Sequence, residues 1–133
     1  MTGKTLARYI AGFLVCWGLL ALIFFRNFGF DTAPALPFDA HQWQAEFHSD
    51  AMEISRLRMA EDLKTRFLHA GMPRAQTRKL LGKPDAASEF DRANHRDVYN
   101  LGYAQMGFDP NELVLQFDTQ GHLKQYYTIT MQF

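Results

Sequence analysis

The chain has 133 residues, of which 47% are apolar and 21% charged. That balance fits one small folded core and excludes wholesale disorder. Fourteen basic and fourteen acidic side chains cancel, so the basic excess that a general nucleic-acid binder needs is missing. A single cysteine, Cys16, excludes an internal disulfide framework and a cysteine-based zinc site.

The first element is an uncharged apolar run of 17 residues from Tyr9 to Phe25. As a helix it covers roughly 25 Å, and snorkelling flanks complete a membrane span. Residues 1–30 carry Lys4, Arg8 and Arg26 and no acid, whereas residues 31–133 carry 11 basic and 14 acidic side chains. Positive charge concentrated ahead of the run predicts a cytoplasmic N-terminus and a body across the membrane. Residues 1–26 are therefore expected to form a signal anchor. Two other readings exist. Ala33-Pro34-Ala35 has the small-x-small form of a signal-peptide cleavage site, though the apolar run is longer than a usual signal core. Cys16 as a lipidated residue fits poorly, since bulky Val15 precedes it. Residues 27–37, with Gly29, Pro34 and Pro37, read as an extended linker, and the folded domain is expected over residues 38–133.

The body begins with helical spacing. Trp43, Phe47, Ala51, Ile54, Leu57, Ala60, Leu63 and Phe67 recur every three or four residues, which puts them on one helix face. Asp39, three residues before Gln42, can cap the start; Asp50 with Glu53 offers a second start, so the helix divides readily into two. Gly71 suits the left-handed residue that closes a helix. A second, short helix is expected from Pro73 to Leu81, with Leu80 and Leu81 facing the core and Gly82 and Pro84 ending it.

The period then changes to two. Tyr99, Leu101 and Tyr103 form one alternating row; Leu113, Leu115 and Phe117 form another. Leu123, Gln125, Tyr127, Ile129, Met131 and Phe133 form a third. Each predicts a strand with one buried face. Asp118-Thr119-Gln120-Gly121 suits a hairpin between the last two strands. Ser88–Arg92 offers a further short strand, and Asn94-His95 a turn. The expected architecture is α+β: an N-terminal transmembrane helix, then two helices packed on one face of a three- or four-stranded antiparallel sheet.

The run from Gly71-Met72 through Gln76 to Leu81-Gly82-Lys83-Pro84 resembles the signature of the SmpA/OmlA (BamE-like) domain family. In that family, Gly-Met-Thr opens a polar stretch that ends in Leu-Gly-x-Pro. Val98-Tyr99 resembles the family's aromatic first strand. Leu113–Asp118 with Gly121-His122-Leu123 resembles its closing hairpin. The resemblance covers roughly residues 63–130 and makes Gly71, Leu81, Gly82, Pro84 and Gly121 the structural motif. Pro73 stands where the family usually has Thr, Thr77 stands where Val is usual, and an apolar run replaces the lipidation signal. The resemblance implies two helices on a three-stranded sheet. It also implies contacts with anionic phospholipid and with subunits of the outer-membrane β-barrel assembly machinery.

Chemistry is sparse. His41 and His48 lack a third ligand of the usual spacing, and no metal or other cofactor is expected. His95 and Asp97 suggest an acid–base pair, but no activated nucleophile is near in sequence. Asp109-Pro110-Asn111-Glu112 lacks the alternating acids and glycine of a calcium loop and reads as a turn before a strand. Charge placement says more. Residues 54–83 hold eight basic side chains against Glu61 and Asp62, and residues 84–133 hold three basic and seven acidic. Arg74, Arg78 and Lys79 are the candidate surface for a partner or anionic lipid. Phe90, Tyr103 and Phe108 are a candidate aromatic loop surface.

The expected function is therefore a non-catalytic interaction module in the inner membrane. It is single-pass, with its C-terminal domain in the periplasm, and supports cell-envelope or outer-membrane protein assembly. Its partners are envelope proteins and membrane lipid, not nucleic acid. Three alternatives stand beside it: a secreted inhibitor or binding protein of the same fold, an anionic-lipid binder, and a small enzyme using His95 and Asp97.

Overall fold

The computed structural model describes residues 34–51, 54–85, 88–103 and 107–132. The apolar run Tyr9–Phe25 lies outside them. Among the described residues no helix is long and apolar enough to cross a membrane.

The folded unit is α+β. Helices α1 (Ala40–Ala45), α2 (Arg56–Asp62), α3 (Arg74–Leu81) and α4 (Glu89–Ala93) precede three strands. These are β1 (Arg96–Tyr103), β2 (Pro110–Phe117) and β3 (Leu123–Thr130). They form one antiparallel meander in the order β1-β2-β3.

The single helical face expected from Trp43 to Phe67 is in fact two helices joined by an irregular stretch. Asp39 caps α1, accepting the Gln42 N–H at 2.7 Å. The chain then turns through His48, whose φ is 52°. Helix α2 starts after Ser55 rather than at Asp50; Glu53 lies outside the described residues. The reason is a contact from the preceding turn. The Glu46 carboxylate accepts the backbone N–H groups of Ser55 and Arg56, at 3.1 and 3.2 Å, and also the Ser55 hydroxyl. A carboxylate there satisfies donors that the first turn of a helix leaves open. Helix α2 ends in a π-helical turn, Leu63–Phe67, closed by Leu68 N–H to the Leu63 carbonyl at 3.0 Å.

Residues 34–37, expected as linker, are tied to α2 together with Phe38. Leu36 N–H reaches the Arg58 carbonyl at 2.8 Å, and Phe38 N–H reaches Asp62 at 2.7 Å. Arg58 Nε donates to the Pro34 carbonyl at 2.8 Å. The Phe38 ring packs against Trp43 and Phe67.

Pro73 precedes α3 in extended geometry, and Gly82 ends the helix at φ 77°. Leu81 is buried as expected, while Leu80 packs partly buried at the core's edge. Thr77 is also fully buried, its hydroxyl bonded to the Arg74 carbonyl at 2.8 Å. The core lies between these helices and the sheet, around Trp43, Met59, Leu63, Tyr99, Leu113 and Leu115.

Three expectations for the sheet need correction. Ser88–Arg92 does not add a strand. Ser88 caps α4 in a reciprocal box with Asp91, and that local bonding selects the helix. The sheet therefore has three strands.

The third strand's apolar row is also not one face. Phe117 pairs with Leu123 and Gln116 with Gln125, so β3 carries a bulge at Lys124. A bulge inserts one residue and reverses the alternation beyond it. Leu123 and Tyr126 accordingly join the core side. Gln125, Tyr127 and Ile129 pair with Gln116, Val114 and Glu112 on the opposite face. A second bulge, between Asn100 and Gly102 of β1, likewise takes Tyr103 out of the Tyr99–Leu101 row and pairs it with Pro110. The hairpin after β2 is as expected: Asp118 accepts N–H groups of Gln120 and His122, each at 2.9 Å, and Gly121 has φ 81°.

Candidate functional site

Arg74 and Arg78 lie one turn apart on α3 and converge on Asp97 of β1. Arg74 Nη2 stands 2.6 Å from Asp97 Oδ1. Arg78 reaches both oxygens, Nη2 to Oδ1 at 2.9 Å and Nε to Oδ2 at 3.0 Å. The Asp97 side chain is 1% exposed, against 29% for Arg74 and 48% for Arg78. The Arg74 guanidinium also stacks 5.0 Å from the centre of the Phe117 ring. Burial alone would raise the Asp97 carboxyl; the hydrogen bonds and charges of Arg78 and Arg74 outweigh it and hold the carboxyl below its usual range. Two cations on one anion leave a single net positive charge at this surface. These arginines therefore anchor α3 to the sheet, and Arg78 keeps an exposed flank.

Lys79, the third residue expected here, is exposed on the next position of α3. It lines an open groove of about 340 Å³ with Ala40, Phe67, Met72, Gln76 and Leu80. The broader basic face is less free than its composition suggests. Of the eight basic side chains in residues 54–83, five pair with described acids: Arg56, Lys64, Arg66, Arg74 and Arg78.

A second buried ion pair was not anticipated. Arg56 is wholly buried and its Nη1 lies 2.5 Å from Asp85 Oδ2. The same Nη1 donates to the Asn100 carbonyl at 3.2 Å, and Nε donates to the Trp43 carbonyl at 2.8 Å. Asp85 in turn accepts the N–H of His48 at 2.9 Å and of Asn100 at 3.1 Å. One carboxylate thus joins the α1–α2 turn, α2 and β1. A sequence signal existed. Arg56 stands three, four and seven residues before Met59, Ala60 and Leu63, which form the buried stripe of α2.

Together the two clusters close the outer edge of β1. The Arg96 carbonyl accepts from Arg74 at 3.3 Å, and the Val98 carbonyl accepts from Asp85 N–H at 3.1 Å. The N–H of Asn100 goes to Asp85 and its carbonyl to Arg56.

The aromatic candidates do not form one patch. Phe90 is 62% exposed on α4, beneath the Arg96 guanidinium at 5.1 Å, near the start of β1. Tyr103 ends that strand, half-buried opposite Pro110. Phe108 is 86% exposed just ahead of β2. Of the motif residues, Gly71 and Gly121 both meet the hairpin region: Gly71 N–H bonds the Leu123 carbonyl at 2.7 Å, and Arg74 N–H bonds the Gly121 carbonyl at 2.9 Å. The Gly82 carbonyl accepts from Tyr99 Oη at 2.9 Å. No hydrogen bond joins His95 to Asp97. His95 is exposed in a turn at φ 54°, whereas Asp97 is enclosed by arginines.

No family model matches this chain, and no curated protein and no solved structure matches it.

Proposed function

We propose that the chain is a membrane-anchored, non-catalytic interaction module of SmpA/OmlA-like type that supports cell-envelope or outer-membrane protein assembly. The observation that carries this reading is the helix framed by Gly71-Met72 and Leu81-Gly82-x-Pro84. It packs on a three-stranded antiparallel sheet, as the resemblance implies, and bonds back to the hairpin glycine. The acids beneath it support a structural use, because Asp85 and Asp97 are both taken up by arginines rather than aimed into a cavity. The apolar run Tyr9–Phe25 supplies the anchor, in the inner membrane with the domain in the periplasm. Lys79 and Phe108 are the exposed probes of the two candidate surfaces.

In-cell photo-crosslinking from Lys79 and, separately, from Phe108 tests the proposal. Arg78 is unsuitable, since replacing it would disturb Asp97. Capture of a β-barrel assembly subunit, by a species that keeps residues 1–35 and resists carbonate extraction, is the expected result. Capture only of unrelated envelope proteins rejects the assembly role. No protein adduct at either position, or a mature form that begins near Ala35, rejects the anchored module.

A further inference from the structure

The two edges of the sheet are treated differently. On the outer edge of β1 the carbonyls of Arg96, Val98 and Asn100 and the N–H of Asn100 are taken by Arg74, Asp85 and Arg56. On β3, Leu123 uses its outward groups on Gly71 and Met72. Beyond it the edge is open. Met131 N–H bonds the Pro110 carbonyl at 2.9 Å while Thr130 stands opposite Asn111. Thr130 is therefore in a non-hydrogen-bonded pair, and its own N–H and carbonyl point away from β2. By alternation Thr128 and Tyr126 present theirs too. Among the described residues none of these groups has a backbone or side-chain partner.

The usual protections of an edge are missing here. Residues 125–132 contain no charge and no proline, where natural edges carry lysine, proline or a late bulge. The bulge of β3 is at Lys124, before the open stretch. Ile129 and Met131 are 38% and 36% exposed.

We infer that this edge binds a second copy of the chain, β3 against β3, antiparallel about a two-fold axis at Thr128. That register is the one that uses all three outward residues. Tyr126 faces Thr130 of the second copy and Thr128 faces Thr128, giving about six inter-copy hydrogen bonds. Between them Tyr127 meets Ile129 of the second copy twice, on the sheet face away from α1–α3, an aromatic with a β-branched side chain. The one nearby charge, Lys124, falls opposite Gln132 of the second copy, so no like charges meet. The resulting sheet has six strands and stops there, because each remaining edge is a β1 closed by its arginine clusters. The contact is isologous and closed.

The test uses the full-length chain in mild detergent and in membranes. Thr128→Cys, in a Cys16→Ser background, should be joined to itself by a short bis-maleimide, whereas Gln76→Cys on α3 should not. Wild type should sediment as a dimer. Thr128→Pro removes an outward N–H and leaves the β2–β3 ladder, as proline on an edge can. It should weaken association about tenfold or more. Thr128→Lys sets two like charges across the axis without touching the backbone and should also shift the equilibrium to monomer. Circular dichroism of both variants should match wild type. A wild-type monomer at micromolar concentration overturns the inference. So does adduct formation at Thr128→Cys with a different protein alone, or a folded Thr128→Lys variant that dimerises as well as wild type.

Discussion

Arg56 Nη1 and Asp85 Oδ2 lie 2.5 Å apart, and the arginine is wholly buried. The two partners are not equally dependent on each other. Without Arg56, Asp85 keeps the N–H donors of His48 and Asn100. Without Asp85, the buried guanidinium keeps only the carbonyls of Trp43 and Asn100. Asp85→Ala should therefore cost about 3–5 kcal/mol, as an uncompensated buried charge does. Arg56→Met, which fills similar space without charge, should cost less. Urea unfolding of both variants gives the order; equal losses would mean the carboxylate's backbone bonds contribute nothing.

Acid should weaken the fold through Asp97. Its carboxyl is held below the usual range when folded, so its contribution is complete above about pH 4 and is lost as the pH falls through the folded value. Asp97→Asn should abolish that acid-sensitive part of the stability curve. Unfolding followed between pH 2 and 5 would show the curve flattening.

Glu112 should do the reverse. Burial, with the neighbouring charge of Asp91, raises its carboxyl above the usual range. The folded state then holds the proton more tightly than the unfolded chain, and stability falls as the pH climbs past about 4. Glu112→Gln is expected to melt a few degrees higher than wild type at pH 7 and at the same temperature near pH 3.5. A lower melting temperature at neutral pH would show that the charge is used elsewhere.

Of Gly71, Gly82 and Gly121, Gly82 is the least open to replacement. It combines φ 77° with ψ −165°, a region nearly closed to other residues. An added Cβ would also stand 3.1 Å from Gln44 Cγ, whose amide donates to the Leu80 carbonyl at 3.0 Å. Gly82→Ala should cost about 1–3 kcal/mol. Gly71→Ala meets only the backbone strain, since nothing lies within 4 Å of its Cβ, and should cost less in the same denaturation assay.

Helix α4 hangs on its cap. Ser88→Ala removes the acceptor of the Asp91 N–H, now 3.0 Å away, and should cost about 1 kcal/mol. Hydrogen exchange at Asp91 should speed up about fivefold, with little change at Leu113 in the central strand.

Elements whose cause is local were readable in the chain. The Asp39 cap, the Gly82 stop and the Asp118–Gly121 hairpin each depend on neighbours within four residues, whereas the first helical stretch ends at Leu68 in extended geometry and not at Gly71. Tyr99 and Leu101 of β1 and Leu113, Leu115 and Phe117 of β2 also located the core correctly, though Tyr103 did not belong with them. Failures began where contacts between distant residues decide. Glu46 sets the start of α2 across nine or ten residues, and periodicity carries no trace of it. The bulge at Lys124 reverses a face because of pairing with β2, which a single strand does not record. Arg74 and Arg78 were legible as a pair but not as partners of Asp97, since charge counting ignores what the fold sets beneath a charge. One local cause was missed: Ser88 and Asp91 cap each other reciprocally and start a helix where a short strand was expected.

Pro34–Phe38 gives the domain a direction of strength. Tension arriving along the chain from residue 33 meets a short strap pinned to α2 by Leu36, by Phe38 and by the Arg58–Pro34 bond. Phe38 is wedged beside Trp43 and Phe67. Peeling the strap would bare those rings while the β-ladder, which shares none of these bonds, stayed intact. The domain thus carries a sacrificial seam at its entrance, and a load there is spent on a few side chains before it reaches the sheet.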